Sequence, residues 1–260
     1  MSVLSNVDVE KEILAGNIRI FPFDQSNIKS SSYNLTASEY AWSLKTKEKI
    51  VKDKKISIPP HDTGIIATKE VIWVSKKICG TYHSKVSVVS KGGGHIGTTL
   101  DSEWIGHSII AIHNHTKDDI VIDIDDTFIS IMFHYLHKPT TVEQHNSASQ
   151  YALLANLVNL TDDDEKYFDK SWKSQSNEVL KKVKSEKDFI ALSEKNKNPY
   201  VSIGKIVFFA IFGLIIICSL YFQTQLDKES FLYTLTTWTT GVGFSGVLVP
   251  IIHSIYINLK

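Results

Sequence analysis

Apolar and polar residues alternate along this chain in four regimes. In the first, SNVDVEKEILAG (5–16), Val9, Ile13 and Leu14 fall on one face at helical spacing, and Gly16 stands where a helix C-cap belongs. In the second, short runs rich in Ile and Val occupy 56–58, 63–68, 71–74, 85–89, 108–113, 120–124 and 128–133. Turn-forming clusters separate them: PPHD, KGGG, NHTKDD and DIDD. Seven or more short strands so closely spaced predict a β sandwich or barrel-like fold, with no internal repeat. The third regime opens with QYALLANLVNL (150–160), a predicted helix. It continues over 162–197 as a charged stretch without Pro or Gly, which predicts a helical stalk.

The fourth regime is apolar. VSIGKIVFFAIFGLIIICSLYF (201–222) carries no charge after Lys205, and 231–259 contains no Asp, Glu, Lys or Arg. A bilayer-crossing helix needs about 20 apolar residues, and Lys205 can snorkel to the interface. The second run holds Thr234, Thr236, Thr237, Thr239, Thr240, Ser245 and His253. Its Gly241, Gly243 and Gly246 suit close helix packing, and Pro250 predicts a kink. Two transmembrane helices are therefore predicted, at 201–222 and 231–257, joined by QTQLDKES. A buried hairpin in a water-soluble core is the bland alternative, and the length of the charge-free runs argues against it. Lysines before the first span and Lys260 after the second predict a multi-pass inner-membrane protein with both ends cytoplasmic. His253 and the threonines suit a pore lining or, more commonly, hydrogen bonds between helices.

Charge adds little at first sight, since 28 Lys and Arg balance 28 Asp and Glu. That balance predicts no nucleic-acid polymer as partner. Of the two cysteines, Cys79 falls in the β region and Cys218 in an apolar run, so no disulfide is expected. The opening MSVLSNVDVEKEIL lacks a basic stretch followed by an apolar core and is not expected to act as a signal peptide. The organisation predicted is a β domain over 1–145, a helical linker over 146–200 and two membrane helices within 201–260.

Three segments carry candidate chemistry in order: LSNVDVEKEILAGNIRIFPFDQSNIKSSSYNL, ISIPPHDTGIIATKEVIWVSKKICGTYHSK and GTTLDSEWIGHSIIAIHN. Together, over roughly residues 4–140, they resemble the dCTP deaminase/dUTPase family of trimeric β proteins. The resemblance implies a distorted β-barrel, a homotrimer or higher homo-oligomer, nucleotide sites between subunits and Mg²⁺ on a triphosphate. Carried over by motif, the nucleotide-binding residues are Ser84, Lys85, Ser87, Gly97, Thr98, Thr99, Asp101, Trp104 and Asn114. Asp101 holds the place of the aspartate that orients water, and Trp104 that of the aromatic beside deoxyribose.

The departures from the family matter more. Asn34 replaces the aspartate of the SYDL segment. The GRSS phosphate motif reads Ser84-Lys85-Val86-Ser87, which keeps a charge but loses the bidentate fork of arginine. Ser90 stands where the deaminase branch has an arginine, and Ala111 where it has its general-base glutamate. Deamination at a pyrimidine C4 needs a proton acceptor beside the water, and alanine supplies none. No catalytic residue is therefore assigned; if the chain is active, Asp101 is the candidate, and stabilising phosphoryl charge falls to Lys85 and Lys91.

Other clusters have plainer explanations. Lys91-Gly-Gly-Gly-His95 reads as a flexible hairpin before a phosphate cradle, because the GxxxxGK[ST] spacing is missing. His107, His113 and His115 read as surface or packing groups before a metal site, and no metal ligand is assigned. The aspartates of 118–126 lack calcium-loop spacing and read as a solvated turn. Asp162 to Glu165 suit a helix N-terminus.

Three functions compete. One is a membrane-anchored effector in which a catalytically degenerate domain binds a linear or cyclic nucleotide and controls a two-helix membrane-disrupting module, an architecture similar to that of bacterial antiviral effectors. The alternative is an active membrane-bound dUTP/dCTP pyrophosphatase or deaminase. The third is a scaffold without ligand.

Overall fold

A computed structural model of the 260-residue chain describes residues 2–95, 97–142, 148–168 and 170–196, with 211, 213–221, 224–225, 235, 237–238 and 240–241. The packing divides the chain into two compact units, 1–195 and 196–260.

The first unit opens with strand β1 (Ser2–Val3) and helix α1 (Asn6–Leu14). Ser5 and Asp8 cap α1 reciprocally: the Asp8 amide donates to Ser5 Oγ at 3.3 Å and the Ser5 amide to Asp8 Oδ2 at 3.0 Å. Beyond the helix Gly16 adopts φ +74, a conformation glycine reaches without steric cost. The β region follows as β2 (Ile18–Phe21), β3 (Tyr33–Ser43), β4 (Val51–Lys52), β5 (Lys55–Ile58), β6 (Thr63–Val74) and β7 (Ile78–Ser84). After the short helix α2 (Val86–Val89) come β8 (Gly93–Gly94), β9 (Thr99–Leu100), β10 (Ile105–Asn114), β11 (Ile120–Asp123) and β12 (Thr127–Tyr135).

The chain is mainly β, as expected. Nine strands form one sheet with the path β8-β10-β6-β3-β12-β7-β9, β1 joining β12 and β2 joining β6; β11-β5-β4 form a second sheet. The main path is open at β8 and β9 rather than closed into a barrel. Side chains alternate across each strand, so one face of the sheet gathers Leu35, Ile66, Ile110, Ile112, Phe128 and Phe133 into the core.

Several elements differ from the sequence expectation: β6 joins the runs expected separately at 63–68 and 71–74, and β7 was not expected. The run 85–89 was expected as a strand because valine favours strands, but it turns as α2 with only Val88 buried among its four residues. The helix delivers the chain into the glycine turn. There Gly92 sits at φ +83, and a β-carbon would come within 2.1 Å of Thr116 Cγ2. Strand β3 went largely unforeseen because Thr36, Ser38 and Glu39 break its apolar run; Ser38 Oγ donates to the Ala67 carbonyl at 2.7 Å and so fits inside the sheet.

The expected boundary at residue 145 also shifts. The stretch over 146–200, expected as a linker, holds α3 (Ala148–Leu157), α4 (Asp162–Phe168), a 3-10 turn (Ser171–Ser174), α5 (Ser176–Lys184) and α6 (Lys187–Lys195). These helices are short and pack on the β domain. Val179, Val183, Phe189 and Leu192 enter the main core. Leu154 and Val158 cover Trp42 and Ile65 on the other side of the sheet. The apolar periodicity of α5 and α6 explains the difference, because a free stalk would leave that stripe in water.

Most of the predicted spans 201–222 and 231–257 lies outside the described residues. Residues 213–221 are helical, and Thr240 Oγ1 donates to Ser219 Oγ at 2.7 Å. Among the described residues, no helix is long and apolar enough to cross a membrane.

If 162–195 belongs to the domain core, Leu192→Ala, at a fully buried site, is expected to cost about 3 kcal/mol in denaturant unfolding followed by tryptophan fluorescence. An unchanged midpoint would return the segment to the role of a linker.

Candidate functional site

The antiparallel pair of β7 and β9 frames a cleft. Gly80 pairs with Leu100 and Thr81 with Thr99, and the Tyr82 amide donates to the Thr98 carbonyl at 3.0 Å. A tight turn follows. The Trp104 amide donates to the Asp101 carbonyl at 3.2 Å, and Glu103 takes a left-handed φ of 65°. A cleft of about 150 Å³ lies beside this turn, lined by residues 98–101, Tyr82, Trp104, Ser108 and Ile109. At its floor the hydroxyls of Tyr82 and Ser108 are 2.6 Å apart, and burial raises the Tyr82 phenol above its ordinary range. Of the nucleotide-binding residues carried over by motif, Thr98, Thr99, Asp101 and Trp104 meet here, with Gly97 just ahead of them.

The others lie elsewhere. Ser84 ends β7, Ser87 is exposed on α2, and neither lines the cleft. Lys85 Nζ donates to Thr127 Oγ1, and burial and Lys29 lower its pKa. Asn114 is fully buried and organises a turn: its Nδ2 donates to the carbonyls of Ile58, Pro59 and Asp118, and its Oδ1 accepts from Thr116. Asn34 Oδ1 accepts from Ser130 Oγ at 2.7 Å. Ala111 is exposed on β10, two residues from Ile109 and therefore on the same strand face. The cleft offers a single carboxylate, and no group of three His, Cys, Asp or Glu gathers among the described residues, so the donor set does not fit a protein-held Mg²⁺. Within the histidine group, His113 Nδ1 meets Thr63 Oγ1 at 2.8 Å, and the rings of His113 and His115 are 4.3 Å apart.

Sequence reasoning missed the wall behind the cleft. Ile109 lines the cleft and also packs on the second apolar cluster, with Trp42, Ile65, Leu154 and Phe168. Next to it, the buried His107 donates from Nδ1 to the Thr68 carbonyl at 2.9 Å; burial holds its pKa down to about 3, so it is neutral. Its ring centroid is 5.1 Å from that of Tyr167, which stacks on Tyr40 at 3.8 Å. Lys173 Nζ lies 3.1 Å from the Tyr167 ring centroid and donates to the Tyr167 carbonyl at 2.7 Å, and burial pushes its pKa down to about 7. The only sequence cue was an aromatic pair, Tyr167-Phe168, inside a charged stretch.

Comparison with known proteins locates this arrangement. A family model described as dCTP deaminase-like matches residues 3–136, just over half of the chain. The dCTP deaminase of Thermococcus sibiricus is 22% identical over 138 residues, covering 53% of this chain and 85% of the relative. That of Pyrococcus abyssi is 24% identical over 137 residues, covering 53% and 86%. Among solved structures, the 2'-deoxycytidine 5'-triphosphate deaminase of Agrobacterium tumefaciens superposes with a TM-score of 0.44 at 11% identity, over 52% of this chain and 48% of that one. The EIAV dUTPase superposes with a TM-score of 0.36 at 17% identity, over 49% and 96%. The chain belongs to the dCTP deaminase-like family.

Glu70, in the ATKEVIW segment of this domain, ties β6 to β3: its carboxyl accepts from the Thr36 amide at 3.0 Å and from the Thr36 hydroxyl at 2.6 Å. Burial raises its pKa from 4.5 to about 7. The folded chain therefore holds a proton that the unfolded chain has lost between these values, and stability falls as pH rises through that window. Glu70→Gln is expected to remove a decline of the order of 2 kcal/mol between about pH 5 and about pH 7.5, read from denaturation midpoints. An identical slope in the variant would place the titration elsewhere.

Proposed function

We propose that the chain is a membrane-anchored nucleotide-sensing effector. Its dCTP deaminase-like domain binds a nucleotide, linear or cyclic, without deaminating it, and occupancy governs a two-helix membrane-disrupting module in antiviral defence. The observation that carries the first half is Ala111. It is exposed on β10 at the position where the family resemblance puts the general base, and it has no group to accept a proton. Ser90, in place of a deaminase arginine, is merely the C-cap of α2.

Occupancy has a physical route to the second half. Ile109 is shared between the cleft and the cluster that seats α3 and α4, so a ligand that moves this wall changes how the helical segment docks. A homotrimer or larger homo-oligomer is supported by membership of the dCTP deaminase-like family, whose resemblance implies nucleotide sites between subunits. The inner membrane as location, with both ends cytoplasmic, is supported by the charge-free runs and by helix 213–221, whose Leu214, Ile215, Ile217 and Leu220 are exposed.

Asp101, inside the cleft, favours a second reading, hydrolysis of dUTP or dCTP. Incubating the purified full chain with dCTP, dUTP and Mg²⁺ is expected to yield neither deaminated nor hydrolysed product. Rapid turnover abolished by Asp101→Asn would establish the second reading instead. For the membrane half, inducing the full chain in bacteria is expected to depolarise the membrane in one ligand state, whereas a chain ending near Pro199 is harmless. Equal toxicity of the two would remove the effector role.

A further inference from the structure

We propose that the hydroxyl pair of Tyr82 and Ser108 reads the edge of the ligand's base and accepts cytosine and uracil alike; this rests on the nucleotide-binding reading above and deepens it. The cleft grades inward. Thr98, Thr99 and Asp101 are exposed at its mouth, whereas Tyr82, Leu100 and Ser108 are buried. Its volume of about 150 Å³ is of the size that holds one six-membered ring. A pyrimidine entering edge first brings that edge to the two hydroxyls.

The backbone fixes both residues before any ligand arrives. Ser108 sits at a break in β10, whose pairing with β6 shifts register between His107 and Ile109. Such a bulge re-aims the side chain at the shift. At the break the Ser108 amide donates to Thr68 Oγ1 at 3.0 Å, and that hydroxyl donates to the Glu70 carbonyl at 3.0 Å. Tyr82 is held from the other side of the cleft, through its amide on the Thr98 carbonyl at 3.0 Å.

Each hydroxyl carries one hydrogen and two lone pairs. One hydrogen lies between the two oxygens, 2.6 Å apart, and either oxygen can be its donor. Burial raises the Tyr82 phenol above its ordinary range, so it keeps its own hydrogen. Reversing the internal hydrogen bond moves the second hydrogen from one oxygen to the other. The same oxygen can therefore donate to a ligand or accept from it. Uracil presents O4 as an acceptor, and cytosine presents its 4-amino group as a donor. The pair serves both. A backbone amide or carbonyl in that place would serve only one, and an unmet polar group in a buried site rejects the wrong ligand strongly.

The test is calorimetric titration of the full chain in detergent micelles, with Mg²⁺, against dCTP, dUTP and the triphosphate of 2-pyrimidinone deoxyriboside, which lacks any 4-substituent. All three carry an α,β-imido link that resists cleavage. The cytosine and uracil compounds are expected to agree within about fivefold. The pyrimidinone is expected to bind more weakly than both by at least about threefold, the worth of one neutral hydrogen bond. Tyr82→Phe combined with Ser108→Ala removes both partners together and leaves no hydroxyl unpaired. In that variant, compared only where its circular dichroism is native, all three ligands are expected to bind alike. A preference above about fivefold between cytosine and uracil, or a pyrimidinone within about threefold of either in the unaltered chain, overturns the inference while leaving nucleotide binding in place. Failure of every compound to bind removes the nucleotide-binding reading itself, and this inference with it.

Discussion

The structure depends on burying both faces of the β3–β6–β10 part of the sheet. Side chains alternate along each strand, so residues that miss the main core emerge on the opposite face. On that face stand Trp42, Ile65 and Ile109, too large and apolar to leave in water. Leu154, Val158 and Phe168 cover them, and farther along the chain Val179, Val183, Phe189 and Leu192 fill the main core. The helical segment is thus the second half of a packing problem that the strands pose.

This constraint sets what the cleft can do. Ile109 packs under the helical cover and also lines the cleft, so the two share one wall. Behind the wall, neutral His107 and the desolvated Lys173 are held in an aromatic seat, where each is penalised for carrying charge.

Much of this was legible in the sequence. Helix α1 announced itself through Val9, Ile13, Leu14 and Gly16, and the motif around Asp101 and Trp104 coincides with the cleft, because both are local patterns. What stayed hidden was non-local. Strand β3 hid behind Thr36 and Ser38, whose partners Glu70 and Ala67 lie about thirty residues on. Asn114 looked like a ligand group, yet its amide is consumed by a turn. Lys85 looked like a phosphate cation, yet it reaches Thr127. The run 85–89 had strand composition, but the glycine turn beyond it decided its conformation. Residues 162–197 read as a stalk because charge dominates their composition, while the buried stripe of α5 and α6 occupies few positions.

The central claim is that the domain holds a nucleotide without consuming it. The most direct measurement is recovery of the bound compound: incubate the full chain with dCTP, remove excess by gel filtration, denature, and identify what is released by mass spectrometry. Release of unaltered ligand in near-stoichiometric amount is the predicted result. Release of a deaminated or hydrolysed product would contradict it.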